Sequence, residues 1–277
     1  MSVGQIEKNA LPFANVIGTG NASSVVTPGR TINTMQLQLG GTTFTKAMLT
    51  YFKILANEKT IFEGSGSQID AINAYRGLTT NAAFLDIAFE DLSGMDYVDR
   101  VIGALDTTQG IVSLTTEADI LGATAPTLSA RLFESNPQVQ AGGTPAPFAG
   151  LISKYLRYSY SVATGGTLPM NFPFGPKNGA VIKRLHVFQN NGLMTAANVK
   201  ENGVTIHDST LAQNQYEQIR NKRVPQANMY TLDFIKDGSI RNAFDTRASN
   251  SVEWNFTFSG ADAGYVIVEY LDTLGNL

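Results

Sequence analysis

Asn57-Glu58-Lys59-Thr60-Ile61-Phe62-Glu63-Gly64 returns later in the chain as Asn202-Gly203-Val204-Thr205-Ile206-His207-Asp208-Ser209. The asparagine, the Thr-Ile pair and an acid keep their places at a constant offset of 145 residues. A helix candidate follows each copy, at 68–76 and at 211–220, each ending on an arginine after an apolar stripe. In the first, Ser67 reads as the N-cap and Gly77 as the stop. Phe84-Leu85-Asp86-Ile87 then answers Thr231-Leu232-Asp233-Phe234 at offset 147, and Ala104-Leu105-Asp106-Thr107 answers Ala243-Phe244-Asp245-Thr246 at offset 139. Four matches in one order, with nearly constant offset, point to a tandem duplication.

Between the matches the text alternates with period two. Runs at 31–39, 47–55, 60–62, 83–89, 110–116 and 127–133 predict strands in the first half, and 252–258 and 265–271 do so in the second. Residues 135–150 hold three prolines and three glycines, the clearest boundary in the chain. The expected organisation is an arm at 1–26 (with a short amphipathic turn over 5–11), a first unit at 27–138, a linker at 139–150 and a second unit at 151–277. Each half therefore carries seven or eight short strands and one inserted helix. A cysteine-free chain lacks the Cys…Trp…Cys core of an immunoglobulin sandwich. A propeller needs more than two repeats. The fold class expected is all-β, two tandem eight-stranded jelly rolls, each with a short inserted helix.

Composition narrows the function classes. Charged residues make up 16% of the chain, against about 25% in ordinary soluble domains. A surface with little charge is cheap to cover, because desolvating charge is the costly part of an interface. The formal net charge of −3 gives no basic stripe for phosphate neutralisation, so no direct nucleic-acid partner is expected. Small basic groups at Lys154/Arg157, Lys183/Arg184 and Arg220/Lys222/Arg223 read as solvated loop or interface charge. No apolar run reaches the ~20 residues of a membrane span, and the N-terminus lacks a signal-peptide layout. The protein is expected to be made and kept soluble in the cytoplasm.

Catalytic motifs find little support. A thiol nucleophile is unavailable without cysteine, and Gly-x-Ser-x-Gly, Walker and Gly-x-Gly-x-x-Gly sequences do not occur. The two histidines, His186 and His207, lie on separate predicted strands, and His186 sits among apolar neighbours as a structural residue would. No enzyme and no required cofactor are expected. Glu90, Asp91, Asp96 and Asp99 crowd a loop around Ser93-Gly94, where oxygen donors could hold calcium, although the spacing is not that of an EF-hand and a solvated acidic loop explains it as well. Trp254, inside a strand pattern, reads as core.

The opening strand at 31–39, the Leu85-Asp86-Ile87-Ala88-Phe89 segment, Ala104-Leu105-Asp106-Thr107 and their second-half counterparts together resemble a known family. The chain is similar, from about residue 27 to 271, to the double jelly-roll major capsid proteins of tailless icosahedral bacteriophages with an internal membrane, of the corticovirus type. The order of the set carries the likeness. The resemblance implies a virion capsid protein that forms a homotrimer, a pseudo-hexagonal capsomer tiling an icosahedral shell over a lipid membrane. It implies neighbouring capsomers and minor capsid, vertex and membrane proteins as partners, and an arm that binds neighbours or the membrane side. It also raises calcium at subunit contacts, with no ligand position to match. A carbohydrate-binding, lectin-like β-sandwich is the alternative.

Overall fold

The computed structural model describes residues 5–94, 96–138, 150–177 and 179–276. The linker expected at 139–150 falls almost wholly outside them. Two compact units are resolved: Met1–Ala74 with Leu78–Leu156, and Tyr75–Gly77 with Arg157–Leu277.

In the first unit β1 (Gln5–Asn9), β2 (Thr19–Val25), β3 (Thr31–Thr43), β4 (Leu49–Ala56) and β5 (Lys59–Gly64) lead to helix α1 (Gly66–Tyr75). Then come β6 (Phe84–Ala88), the short helix α2 (Tyr97–Val101), the two-residue β7 (Leu105–Asp106), β8 (Leu114–Leu121) and β9 (Thr124–Ser135). They pair as β1-β9-β3-β6, with β7 on β3, and as β2-β8-β4-β5. The second unit contains β10 (Leu151–Val162), β11 (Gly166–Met170), β12 (Val181–Gln189), β13 (Met194–Glu201) and β14 (Val204–Thr210). After α3 (Leu211–Arg220) come β15 (Met229–Asp233), β16 (Phe244–Asp245), β17 (Val252–Phe258) and β18 (Asp262–Thr273). Its pairing is β10-β18-β12-β15, with β16 on β12, and β11-β17-β13-β14. The two orders are the same order, and it is that of a jelly roll. Residues 151–156 of β10 group with the first unit, where Tyr155 pairs in parallel with Phe62.

The arm expected at 1–26 is corrected: β1 pairs with β9 and β2 with β8, completing the first roll to eight long strands. Residues 5–9 are strand and not a turn. Sequence periodicity fails there because β1 is exposed or half-exposed at every position, so no apolar alternation is written into it. The α1 cap is also corrected, from Ser67 to Ser65. Ser65 Oγ accepts from Gln68 N at 3.2 Å while Gln68 Oε1 accepts from Ser65 N at 2.9 Å, a reciprocal capping box. Thr210 and Gln213 form the same box at α3.

The matched motifs are matched because each performs one local task twice. Asn57 Oδ1 accepts from the amides of Val112 and Ser113, and Asn202 Oδ1 from those of Asn250 and Ser251. Both asparagines sit at a φ of 49°, in the left-handed region that asparagine tolerates. Thr107 Oγ1 donates to Arg30 O at 2.6 Å and accepts from Gly29 N, while Thr246 Oγ1 donates to Gly179 O at 2.9 Å and accepts from Gly175 N. Each threonine thus ties the loop ahead of β3 or β12 to the segment behind β7 or β16.

One match is out of register. Gln36 faces Asp86 across β3 and β6, and the corresponding residue His186 faces Thr231 across β12 and β15. The structural counterpart of Asp86 is therefore Thr231, two residues from the sequence match Asp233. A slip of two preserves which face a strand residue occupies, so the pattern could not reveal it.

Two backbone positions break the duplication to their cost. Glu58 has φ 66° where its counterpart is Gly203, and Lys222 has φ 60° where its counterpart is Gly77. A side chain in this region is strained and glycine is not. Glu58→Gly and Lys222→Gly are each expected to stabilise the protein by about 0.5–1 kcal/mol in urea unfolding; a loss of stability in both would contradict this assignment of strain.

Candidate assembly surfaces and a buried charge network

A jelly-roll sheet normally buries one face and wets the other. The sheet β10-β18-β12-β15 does otherwise. On β12, residues 182–187 are all buried, although alternate side chains must point to opposite faces. The outward set is charged: Arg184, His186, Asp233 and Glu269 are buried or nearly so at the side chain. They are covered by Tyr75 and Arg76, which group with this unit. Arg76 bonds Glu269 at 2.5 Å, Arg184 bonds Glu269 at 3.1 Å and Asp233 at 3.1 Å, and Tyr75 Oη donates to Asp233 at 2.9 Å. His186 contacts Thr231 Oγ1 at 3.0 Å through Nδ1 and Glu269 Oε1 at 2.8 Å through Nε2.

Burial drives the His186 imidazole below its usual range, which keeps it neutral. Burial alone would raise the Glu269 carboxyl, but Arg76 and Arg184, with the His186 hydrogen bond, outweigh it and hold the group well below the ordinary carboxylate range. Tyr75 is pushed well up, by burial first and then by Asp233. A sealed set of paired charges has no approach for a substrate. Its work is to hold Tyr75 and Arg76 against the sheet.

The basic groups expected as solvated loop or interface charge are corrected at four of their members. Lys154, Lys183, Arg184 and Arg223 are buried, at 1%, 1%, 0% and 6% exposure. Lys154, Lys183 and Arg184 lie within strands, and the acids that pair with Arg184 and Arg223, Asp233 and Glu269, come from distant segments, so no local sequence window pairs them. Sequence reasoning missed Glu269, Asp233 and Arg76 for the same reason. The available signal was a charge pattern of period two inside otherwise apolar strands.

The counterpart sheet β1-β9-β3-β6 is open on that face. A groove of about 450 Å³ lies there, lined by Glu7, Lys8, Gln36, Gln38, Phe84 and Arg131. Gln36 Nε2 donates to Asp86 Oδ1 at 2.8 Å, and Arg131 pairs with Glu7. The inserted helices differ in the complementary sense. Nearly all of α1 is buried or half-buried, whereas α3 exposes Tyr216 by 68% and Ile219 by 62%. Beside α3 the strand β14 ends its sheet and exposes Val204 and Ile206.

The calcium candidates are distributed and not gathered. Glu90 accepts from Thr34 Oγ1 at 3.4 Å; burial raises its carboxyl while Arg100 lowers it. Asp91 is buried and holds Ser93 through its amide and hydroxyl. Asp96 Oδ1 accepts from Asp99 N at 2.8 Å. Among the described residues no three acidic or histidine side chains converge on a point where a metal ion could sit. His207, on β14, is far in sequence from any such set and is lowered by burial. Trp254 is core, ringed by Phe172, Phe234 and Phe244.

Two family models divide the chain as the fold does. The viral coat protein P2 N-terminal domain matches residues 7–133, and the viral coat protein P2 C-terminal domain matches residues 152–274. The chain belongs to the viral coat protein P2 family. Among solved structures, this coat protein is similar to the major capsid protein P2 from bacteriophage PM2, with 17% identity and a TM-score of 0.84 over 99% of this chain and 100% of that one. The MCP of STIV (Sulfolobus turreted icosahedral virus) gives 14% identity and 0.73 over 98% and 97%. PBCV-1 VP54 gives 11% identity and 0.63 over 100% and 96%. No curated protein matches in sequence. At these identities the structural likeness carries the fold, a double jelly roll, and the family models carry the role. The coat protein is a structural component of the virion capsid, not an enzyme, and membership decides against the sugar-binding alternative.

Proposed function

We propose that this coat protein assembles as a homotrimer, a pseudo-hexagonal capsomer that tiles an icosahedral shell over a lipid membrane. The observation that supports the trimer is the inequality of two equivalent helices. α1 and α3 stand at the same point of the repeat with the same capping box, yet one is covered and the other bares Tyr216 and Ile219. A second copy of the chain is the natural cover for a surface whose internal counterpart is already covered. Minor capsid, vertex and membrane proteins are proposed as further partners of the assembled shell.

Size-exclusion chromatography with light scattering tests the trimer, with a mass of three chains expected. Ile219→Asp is expected to shift that mass toward one chain while leaving the circular dichroism unchanged; a wild-type monomer would overturn the reading. Calcium at the Glu90–Asp99 loop is tested in the same run. With its carboxylates spread as they are, adding EGTA is expected to leave the trimer intact, and dissociation would assign the loop an ion.

A further inference from the structure

In the second unit Tyr75 and Arg76 cover one face of the sheet, and the repeat places residues of the first sheet and of α3 at the corresponding points. Register fixes the correspondence. Thr31 and Ile32 pair with Asp106 and Leu105 as Val181 and Ile182 pair with Asp245 and Phe244. The bulges after Ile32 and Ile182 also coincide. Gln36 therefore stands where His186 stands, Gln38 where Phe188 stands, Asp86 where Thr231 stands, and Ala88 where Asp233 stands.

The helices correspond just as closely. Leu78 N bonds Asn73 O and Arg223 N bonds Gln218 O, closing both helices the same way. Asn73 Nδ2 reaches Asp86 O and Gln218 Nε2 reaches Thr231 O, both at 2.8 Å. By this register Arg220 occupies the place of Tyr75, and Asn221 that of Arg76.

Within the second unit Tyr75 sits over His186, with its ring centroid 5.6 Å from the imidazole and its hydroxyl on Asp233. Over Gln36 in the first sheet there is the groove. We propose that the C-terminal end of α3 of one copy seats in this groove of a second copy, with Arg220 directed at Asp86 beside Gln36. The inference rests on the trimer reading and names its contact.

Charge supports the pairing. Within the groove Arg131 is matched by Glu7, and Lys8 by Glu134 at 2.9 Å. Among the described residues Asp86 takes its one side-chain hydrogen bond from neutral Gln36. The incoming end carries Arg220 and Lys222, both exposed. Phe84, 37% exposed at the groove, offers apolar surface to Ile219. One protruding end and one groove per chain form a head-to-tail contact, the kind that closes rings.

The absence of native cysteine makes the test clean. A chain carrying Gln36→Cys and Arg220→Cys is assembled, its mass is checked by light scattering, and it is treated with a short bismaleimide. A covalent trimer on a denaturing gel is expected, with each single variant staying monomeric on the gel. A trimer by light scattering that runs as monomer on the gel overturns this contact while leaving the trimer standing. A monomer by light scattering for the wild type overturns both. As a second variant, Arg220→Glu is expected to lower the wild-type mass, and Asp86→Arg in the same chain to restore it. An unchanged mass for Arg220→Glu, or no restoration, counts against the pairing.

Discussion

Replacing Glu269 with alanine is expected to destabilise the second unit by about 3–5 kcal/mol, because it removes the anion that two buried arginines, Arg76 and Arg184, share. Glu269 is fully buried and bonds Arg76, Arg184 and His186 at once. Truncating one partner of such a set is worse than never having had it: the charges that remain cannot regain water. The single tryptophan, Trp254, lies in this unit, so urea unfolding followed by its fluorescence reads the effect directly. A loss under 1 kcal/mol would show that the arginines find other partners.

The same network sets a pH dependence. His186 has a folded-state pKa below its ordinary 6.5, so the unfolded chain takes up a proton first as pH falls. Glu269 is held well below its ordinary 4.5, so there too the unfolded chain protonates first. Wherever the unfolded state binds more protons, stability falls with falling pH. Both groups act in one direction. Stability is expected to decline below pH 6.5 through His186 and again below pH 4.5 through Glu269, and Glu269→Ala is expected to flatten the second limb.

Trp254→Ala is the other large effect, about 3–5 kcal/mol. Its indole is 1% exposed, with ring centroids of Phe172, Phe244 and Phe234 at 5.6, 6.0 and 6.4 Å. None of the three can close the space without leaving its own packing, so a cavity remains. Calorimetry, which needs no fluorophore, is expected to resolve a lowered transition for the second unit with the first unchanged. A single wild-type-like transition would contradict the tight packing described.

The duplication was readable because its markers do jobs that only a few residue types can do. Asn57 and Asn202 combine a left-handed backbone with a side-chain acceptor, and Thr107 and Thr246 combine a donor and an acceptor in one small group. Substitution there is constrained, so the letters persist. β1 was not readable, because a strand exposed along its length has no pattern to show. Nor was the charge network. Arg76, Arg184, Asp233 and Glu269 lie far apart in sequence, and their meeting is a product of topology. The two-residue slip at Asp86 shows the limit of pattern itself: period two fixes the face of a strand but not its position along it.

Carrying both rolls on one polypeptide has a consequence for how a shell could be populated. Each bimolecular association costs several kcal/mol of lost translational and rotational freedom. A covalent tether replaces one such encounter with an intramolecular one at high effective concentration. Building a six-roll ring from three chains therefore removes three collisions from the assembly pathway, which lowers the protein concentration at which rings first form. It also fixes the stoichiometry of the two roll types at one to one, whatever the rate of synthesis, so neither type can accumulate in excess with an unmatched surface.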